Sequence, residues 1–314
     1  MPVATTIDVP LLHLLLDSHR PMTVQAIALR RGLPPQQCVH ALQQLRDTGC
    51  VLNEHPQHGI ELVRAGLGTW VDYLEPLVPG RVVLYRQTTS TQDHARQMGA
   101  AGDGNYVLAD TQTRGRGRLG RSWIAPPSSG ALLSRVLALD NRHAPHAVDR
   151  LTFAISVAVA QAMDVFVGPG RARIKWPNDI LVDGRKLAGI LVETVDGAAI
   201  VGVGINVNLQ ADALPSSLQH QVTSLAMLRA SADRLRVLSE VILAIEAVLK
   251  TNQRTALLDA WRSRCTFLNQ VIHLRHHSRD IVGTVIDLDP RDGLIVRTTA
   301  GQLVHLPSSS TTVA

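Results

Sequence analysis

Residues 111–123, TQTRGRGRLGRSW, restrict what this chain can fold into more than any other stretch. Arg114, Arg116, Arg118 and Arg121 stand among Gly115, Gly117 and Gly120 with no acidic residue inside the run. Like charges this close repel, and glycine loses the most backbone freedom on ordering, so the run reads as a loop. Apolar segments with strand character bracket it, Tyr106–Asp110 before and Ala131–Leu139 after. A loop held at both ends by strands is not a disordered basic tail. Its glycines let backbone amides approach a ligand, and its guanidinium forks suit phosphate oxygens. The run lacks the Gly-Lys-Ser/Thr ending of a Walker loop and does not open a helix as the dinucleotide fingerprint must. A phosphate-bearing ligand or a nucleic-acid backbone is the anion it calls for.

A length of 314 residues exceeds one ordinary core and implies two or three domains. Apolar residues make up 45% of the chain but aromatics only 3%, so aliphatic side chains must fill the cores. Cys38, Cys50 and Cys265 are scattered, without metal-ligand or redox spacing. That pattern fits a reducing cytosol, and no resident metal site is expected. The apolar run at 11–16 is short and follows Asp8, which reads as a core helix, not a signal peptide. No apolar run approaches a membrane span, so a cytoplasmic protein without a membrane partner is expected.

Turn and cap residues divide the rest. Pro10–Ser18, a Thr23-capped helix to about Arg31, and a Pro34-led helix ending at Gly49 form three helices. Val51–Asn53 and Ile60–Val63 then pair around a turn at 56–59. The connectivity is that of a winged helix-turn-helix over 1–65, against a plain three-helix bundle with a hairpin. Residues 66–79 read as a linker. Mixed strands and helices from 80 to 266, with the long helices Arg150–Phe166, Ala232–Asn252 and Thr255–Cys265, give an α+β fold. Short strands at 271–274, 281–287, 293–298 and 303–306 suit a small β-barrel over 267–314.

A second motif is Lys175-Trp176-Pro177-Asn178-Asp179, followed by Lys186-Leu187-Ala188-Gly189-Ile190-Leu191-Val192-Glu193. The chain has 28 Arg but three Lys, and two of those lysines flank this motif. Lys is a compact charge that reaches a single oxygen, where Arg brings a plane. Lys175 closes a strand, and Pro177 turns the chain at once. The bland alternative is a simple turn beside a solvated hairpin.

Thr89-Ser90-Thr91-Gln92, the arginine loop, KWPNDI with KLAGILVE, and Gly202-Val203-Gly204-Ile205-Asn206-Val207-Asn208 occur in the order seen in biotin protein ligases. The resemblance spans about residues 80–265. With helices in front and a barrel behind, the chain resembles the bifunctional type, which is both ligase and repressor of biotin genes. It implies a class II synthetase-like mixed or antiparallel central sheet and a C-terminal SH3-like barrel. It also implies ATP and Mg²⁺ as cofactors, biotin as substrate, a biotin carboxyl carrier protein of acetyl-CoA carboxylase as acceptor, operator DNA, and a homodimer.

By resemblance, Ser90, Thr91, Gln92 and Gln112 line the biotin pocket, covered by Arg116, Gly117 and Arg118. Lys175 stands near carboxylate and phosphate, and Lys175, Arg116 and Arg118 carry the chemistry. Arg121, Trp123, Asn178, Asp179, Lys186 and Asn206 serve the nucleotide. The loop is expected to be mobile without ligand, because its own charges oppose ordering. Gln92 replaces the family's usual Asn, Thr89 stands where Asp is common, and the chain end lacks the usual Gly-Glu-Val. A lipoate or octanoyl ligase of the same superfamily, and a biotin-sensing repressor without catalysis, are the alternatives. The DNA-facing residues would be Arg30, Arg31, Gln36, Gln37 and His40. Residues 1–75 nevertheless hold five Arg against seven Asp or Glu, little charge for phosphate neutralisation.

Overall fold

The structure is a computed structural model that describes residues 7–18, 20–139, 146–230, 232–251 and 253–313. Residues 1–6 of the expected first domain and the expected helix end at Asn252 lie outside this set.

Local caps open the first helices. Asp8 accepts from the Leu11 amide at 2.8 Å at the start of α1 (Val9–Asp17). Thr23 Oγ1 accepts from Ala26 N at 3.2 Å at the start of α2 (Val24–Arg31), and Gly32 closes it at φ 64°. Helix α3 (Pro35–Asp47) buries Cys38, Ala41, Leu42 and Leu45 as one face. Strands β1 (Val51–His55) and β2 (Gly59–Arg64) form an antiparallel hairpin, and Met22 bridges to Ile60. A Cβ on Gly59 would lie 2.2 Å from the Met22 carbonyl oxygen, so a glycine is needed for the hairpin to reach the entrance of α2.

Residues 66–79, expected as a linker, are folded and packed. They contain α4 (Trp70–Leu74), with Trp70 and Leu74 fully buried. The Arg234 guanidinium lies 5.0 Å from the Trp70 ring centroid, and Ala65 N donates to Asp233 at 2.8 Å. Glycine spacing alone reads as a loop; burial of an indole against a distant helix overrides it.

The central sheet contains β3 (Val82–Thr88), β4 (Tyr106–Gln112), β7 (Gly130–Ala138), β8 (Arg173–Lys175), β9 (Asp179–Val182), β10 (Arg185–Val195) and β11 (Ala198–Asn206). Between β4 and β7 lies a minor ladder of β5 (Gly115–Arg116) and β6 (Ser122–Trp123). The sheet order is β3-β4-β7-β11-β10-β9-β8, parallel between β3 and β4 and antiparallel elsewhere. Helix α5 (Thr91–Met98) covers one face through Ala95 over Val107, Val136 and Ile200. Alternate residues of the same strands face the larger core under α6 (Ala147–Val167) and α8 (Arg234–Lys250). By length and composition α6 could span a membrane, contrary to the sequence expectation, but it is a buried core helix. The short α7 (Ser216–Gln219) follows β11, and α9 (Arg254–Arg264) leads to β8 through a bridge from Cys265 to Ile174.

An ionic knot ties α8 to the sheet. Tyr106 Oη donates to Glu246 Oε1 at 2.8 Å, and Arg135 Nε donates to the same oxygen at 3.2 Å. Burial, reinforced by the Glu246 charge, pushes the Tyr106 phenol far above its ordinary range.

The last strands are β12 (Val271–His276), β13 (Arg279–Asp289), β14 (Gly293–Thr298), β15 (Leu303–Leu306) and β16 (Thr311–Val313). They form an antiparallel sheet in the order β15-β14-β13-β12-β16. Strand β16 lies outside the strands expected from the sequence, in the polar stretch SSSTTV.

Candidate active site

The polar run Ser90–Gln92 begins α5 where β3 ends, beside the end of the parallel strand β4 at Gln112. Parallel strands that finish together leave a crevice at their carboxyl ends, and this crevice continues into a cavity of about 520 Å³. All fourteen residues expected at the ligand line it. Ser90, Thr91, Gln92 and Gln112 are at one side; Arg116, Gly117, Arg118, Arg121 and Trp123 come from the arginine loop. Lys175, Asn178, Asp179, Lys186 and Asn206 complete it. The five expected DNA-facing residues are elsewhere, on α2 and α3.

At the uncharged end, Gln112 Oε1 accepts from Thr91 N at 2.7 Å and from Thr91 Oγ1 at 3.0 Å. Ser134 Oγ, fully buried on β7, lies 2.8 Å from Thr91 Oγ1 and 2.9 Å from Gln92 Oε1. These bonds orient hydroxyl and amide groups around a pocket that both donates and accepts. Gln92 is longer than the family's Asn, and a glycine gives it room. A Cβ on Gly202 would come within 2.9 Å of its Cδ and Oε1.

The arginine loop finds partners that its own segment lacks. Gly117 N donates to the Arg121 carbonyl at 2.7 Å, and the turn passes through Leu119 at φ 56° and Gly120 at φ 72°. Arg116 Nη2 pairs with Asp93 at 3.0 Å and Glu193 at 3.2 Å. Arg118 donates to the carbonyls of Ser308 and Thr311, the latter at 3.2 Å, and to Asn178 Oδ1 at 3.4 Å. Burial moves the Arg118 guanidinium below its ordinary range, with Asp179 and Asp149 opposing. Carboxylates and carbonyls from distant parts of the chain thus face the loop's charges and offset their repulsion.

Lys175 ends β8 and is exposed. Among the described residues it makes no ion pair. Lys186 differs: its Nζ is 2.6 Å from Asp179 Oδ1 and 5.4 Å from the Trp123 ring centroid. Asn178 fastens the turn to β10, donating to Ile190 O at 2.8 Å and accepting from Ile190 N at 2.9 Å. The Trp176–Pro177 bond is cis. Asn206 Nδ2 donates to Thr223 O at 3.0 Å, bracing the segment after β11.

Trp123 lies flat against β11. A Cβ on Gly204 would be 2.6 Å from its Cε2, and the indole N–H is buried without a protein partner. Gly204→Ala is expected to force the indole aside and cost about 1–3 kcal/mol, the usual penalty of overpacking. A denaturant titration measures it, and an unchanged midpoint would mean the indole moves freely.

Sequence reasoning missed Ser134, Glu193 and Asp93, which bond to residues of the cavity wall, and the tail residues Thr312 and Val313, which line the cavity themselves. The lone Ser-Arg pair inside the apolar strand ALLSRVLAL was a signal for Ser134; nothing in the sequence signals the tail. Among the described residues, no three His, Cys, Asp or Glu side chains gather as a metal site.

Residues 83–210 match the family described as "Biotin/lipoate A/B protein ligase family". The chain is 32% identical over 240 residues to "Bifunctional ligase/repressor BirA" of Bacillus spizizenii, covering 73% of each. It is 33% identical over 239 residues to "Biotin--[acetyl-CoA-carboxylase] ligase" of Mycobacterium tuberculosis, covering 70% of this chain and 87% of that one. Among solved structures, the Aquifex aeolicus biotin protein ligase in complex with biotin and ATP is 25% identical with a TM-score of 0.64. That match covers 74% of this chain and 99% of the other. With sequence likeness at this level across most of the relatives' length, and a fold that agrees, the chain belongs to the biotin protein ligase family.

Proposed function

We propose that this chain activates biotin with ATP and passes it to a lysine of a biotin carboxyl carrier protein. The observation that carries the reading is one cavity with a neutral hydrogen-bonding end and a cationic end. The first end, Ser90, Thr91, Gln92 and Gln112, suits a ureido ring. The second, with Lys175, Arg118 and Arg121, suits a carboxylate beside a phosphate chain. The biotin carboxylate attacks the α-phosphorus of ATP, a P–O bond forms, and pyrophosphate leaves. The carrier lysine's neutral amine then attacks the acyl carbon, the C–O bond to phosphate breaks, AMP leaves, and the amine gives up a proton. No enzyme nucleophile takes part. The chain's contribution is to hold two anions together and stabilise the charge that develops.

Mg²⁺ fits as a companion of the nucleotide, since magnesium commonly binds one or two carboxylates plus substrate phosphates. Asp179 is the carboxylate in the cavity that would hold it. When bound, the ion neutralises phosphate charge.

Trp123 offers an unpartnered indole N–H on the nucleotide side, and Lys186 is kept beside it by Asp179. The test is to incubate the protein with ATP, Mg²⁺, biotin and a carrier domain. The carrier should gain the mass of one biotinyl group; with lipoate in place of biotin no gain is expected. Gain only with lipoate would turn the reading to the superfamily's other branch. Biotin binding without pyrophosphate release would leave a sensor alone.

A second role rests on the N-terminal helices, which we read as a winged helix-turn-helix over residues 1–65. Gln36, Gln37 and His40 are exposed on α3, where Gln can read adenine edges, and Arg30 is exposed on α2. Arg31 is not free for phosphate: its guanidinium pairs with Asp8 at 3.0 Å. Operator DNA of biotin genes and a homodimer complete this reading, along with a ligase domain over 80–266, an SH3-like barrel over 267–314 and a cytoplasmic setting. Anisotropy titration of operator DNA at several salt concentrations tests it, because a shallow salt dependence is expected from so few cations.

A further inference from the structure

Glu193 lies on β10 behind the pocket wall and does not itself face the cavity. Its Oε2 accepts from Gln92 Nε2 at 3.1 Å and from Arg116 Nη2 at 3.2 Å, while Arg96 Nη1 stands 3.6 Å from Oε1. Gln92 belongs to α5 and Arg116 to the arginine loop, so one carboxylate joins the two elements that form the pocket's neutral end. The Gln92 amide is fixed at both atoms, since its Oε1 accepts from Ser134 Oγ at 2.9 Å. Gly202 leaves the space through which the longer side chain passes to reach Glu193. Among the described residues Arg116 makes its ion pairs through Nη2, and its Nε is buried without a partner there. A buried donor without a partner costs free energy unless a ligand supplies an acceptor.

We propose that Glu193 is a positioning residue for the acid substrate. Its carboxylate sets the Gln92 amide and holds the Arg116 guanidinium, and with it the arginine loop, against the pocket before the substrate arrives. This inference rests on the biotin-ligase reading and deepens it. The extra methylene of Gln92, relative to the family's Asn, is explained as the reach needed to join this carboxylate. Asp93, also on α5, pairs with the same guanidinium at 3.0 Å and so also ties that helix to the loop, but the Gln92 side-chain amide donates to Glu193 and not to Asp93.

Glu193→Gln keeps size and an acceptor but removes the charge. Losing one charge-assisted bond at each partner should weaken biotin binding about tenfold or more. The measurement is calorimetric titration of biotin into wild type and variant, together with KM for biotin and for ATP. The expected result is a raised biotin Kd and KM with the ATP KM within about twofold. Arg116→Gln should give a similar loss, and the double variant should cost far less than the two losses combined. Unchanged biotin binding, equal rises in both KM values, additive losses, or a Glu193→Gln chain that fails to fold would each overturn the proposal. Failure of the wild type to bind biotin would instead sink the ligase reading.

Discussion

Lys175→Ala is expected to slow biotin-dependent pyrophosphate release by about a hundredfold or more, the usual effect of removing one preorganised charge donor. The reason is the contrast among the cations around the cavity. Arg116 is neutralised by Asp93 and Glu193, Lys186 by Asp179, and Arg118 is seated on backbone carbonyls and Asn178. Lys175 makes no ion pair among the described residues, so its charge is available to the anions of the first step. Its place is held by backbone: Ile174 bridges to Cys265, and Thr266 N donates to Ile174 O at 3.0 Å. Truncating the side chain should therefore leave the fold intact and remove only the charge. Single-turnover release of pyrophosphate with biotin saturating reads the step directly, and an undiminished rate would remove Lys175 from the chemistry.

Glu246→Ala is expected to destabilise the chain by about 3–5 kcal/mol, because it strips a buried cation of its internal partner. Arg135 is 4% exposed and Tyr106 fully buried, and both donate to one oxygen of Glu246. After truncation, Arg135 retains Asp103 at 3.0 Å, but that carboxylate is half in water. Hydrogen-bond donors of β4 and β7 would then face α8 without an acceptor. Urea unfolding should show a much lower midpoint with an unchanged slope. A loss below about 1 kcal/mol would mean that water replaces the carboxylate. Glu246→Leu together with Tyr106→Phe and Arg135→Met is the contrasting case, since replacing every member of a buried polar cluster is often tolerated.

Much of the architecture was legible in the sequence, and for local reasons. Thr23 and Gly32 act through bonds to residues at most four or five positions away and Pro34 through its own fixed backbone angle, so the helix limits they mark agree with the structure to within about one residue. Asp183-Gly184, a two-residue hairpin signature in the sequence, likewise joins β9 to β10, where both residues have positive φ. Short apolar runs announced the strands β4 and β7, and residues of the arginine loop and the KWPND motif meet at one cavity.

What tertiary structure alone decided lies in long-range pairing. The linker expected at 66–79 became a packed helix because Trp70 meets Arg234, far away in the chain. The loop's charges are offset by Glu193 and the tail carbonyls, which supply the negative charge and dipoles it lacks in its own segment. Arg31, a plausible phosphate contact in sequence, is consumed by Asp8 across the helical unit. Periodicity and turn chemistry are properties of a few neighbouring residues, so the elements and the motifs could be read directly. Which charge neutralises which depends on where the sheet order places them, and that order is set by burial of the whole chain at once.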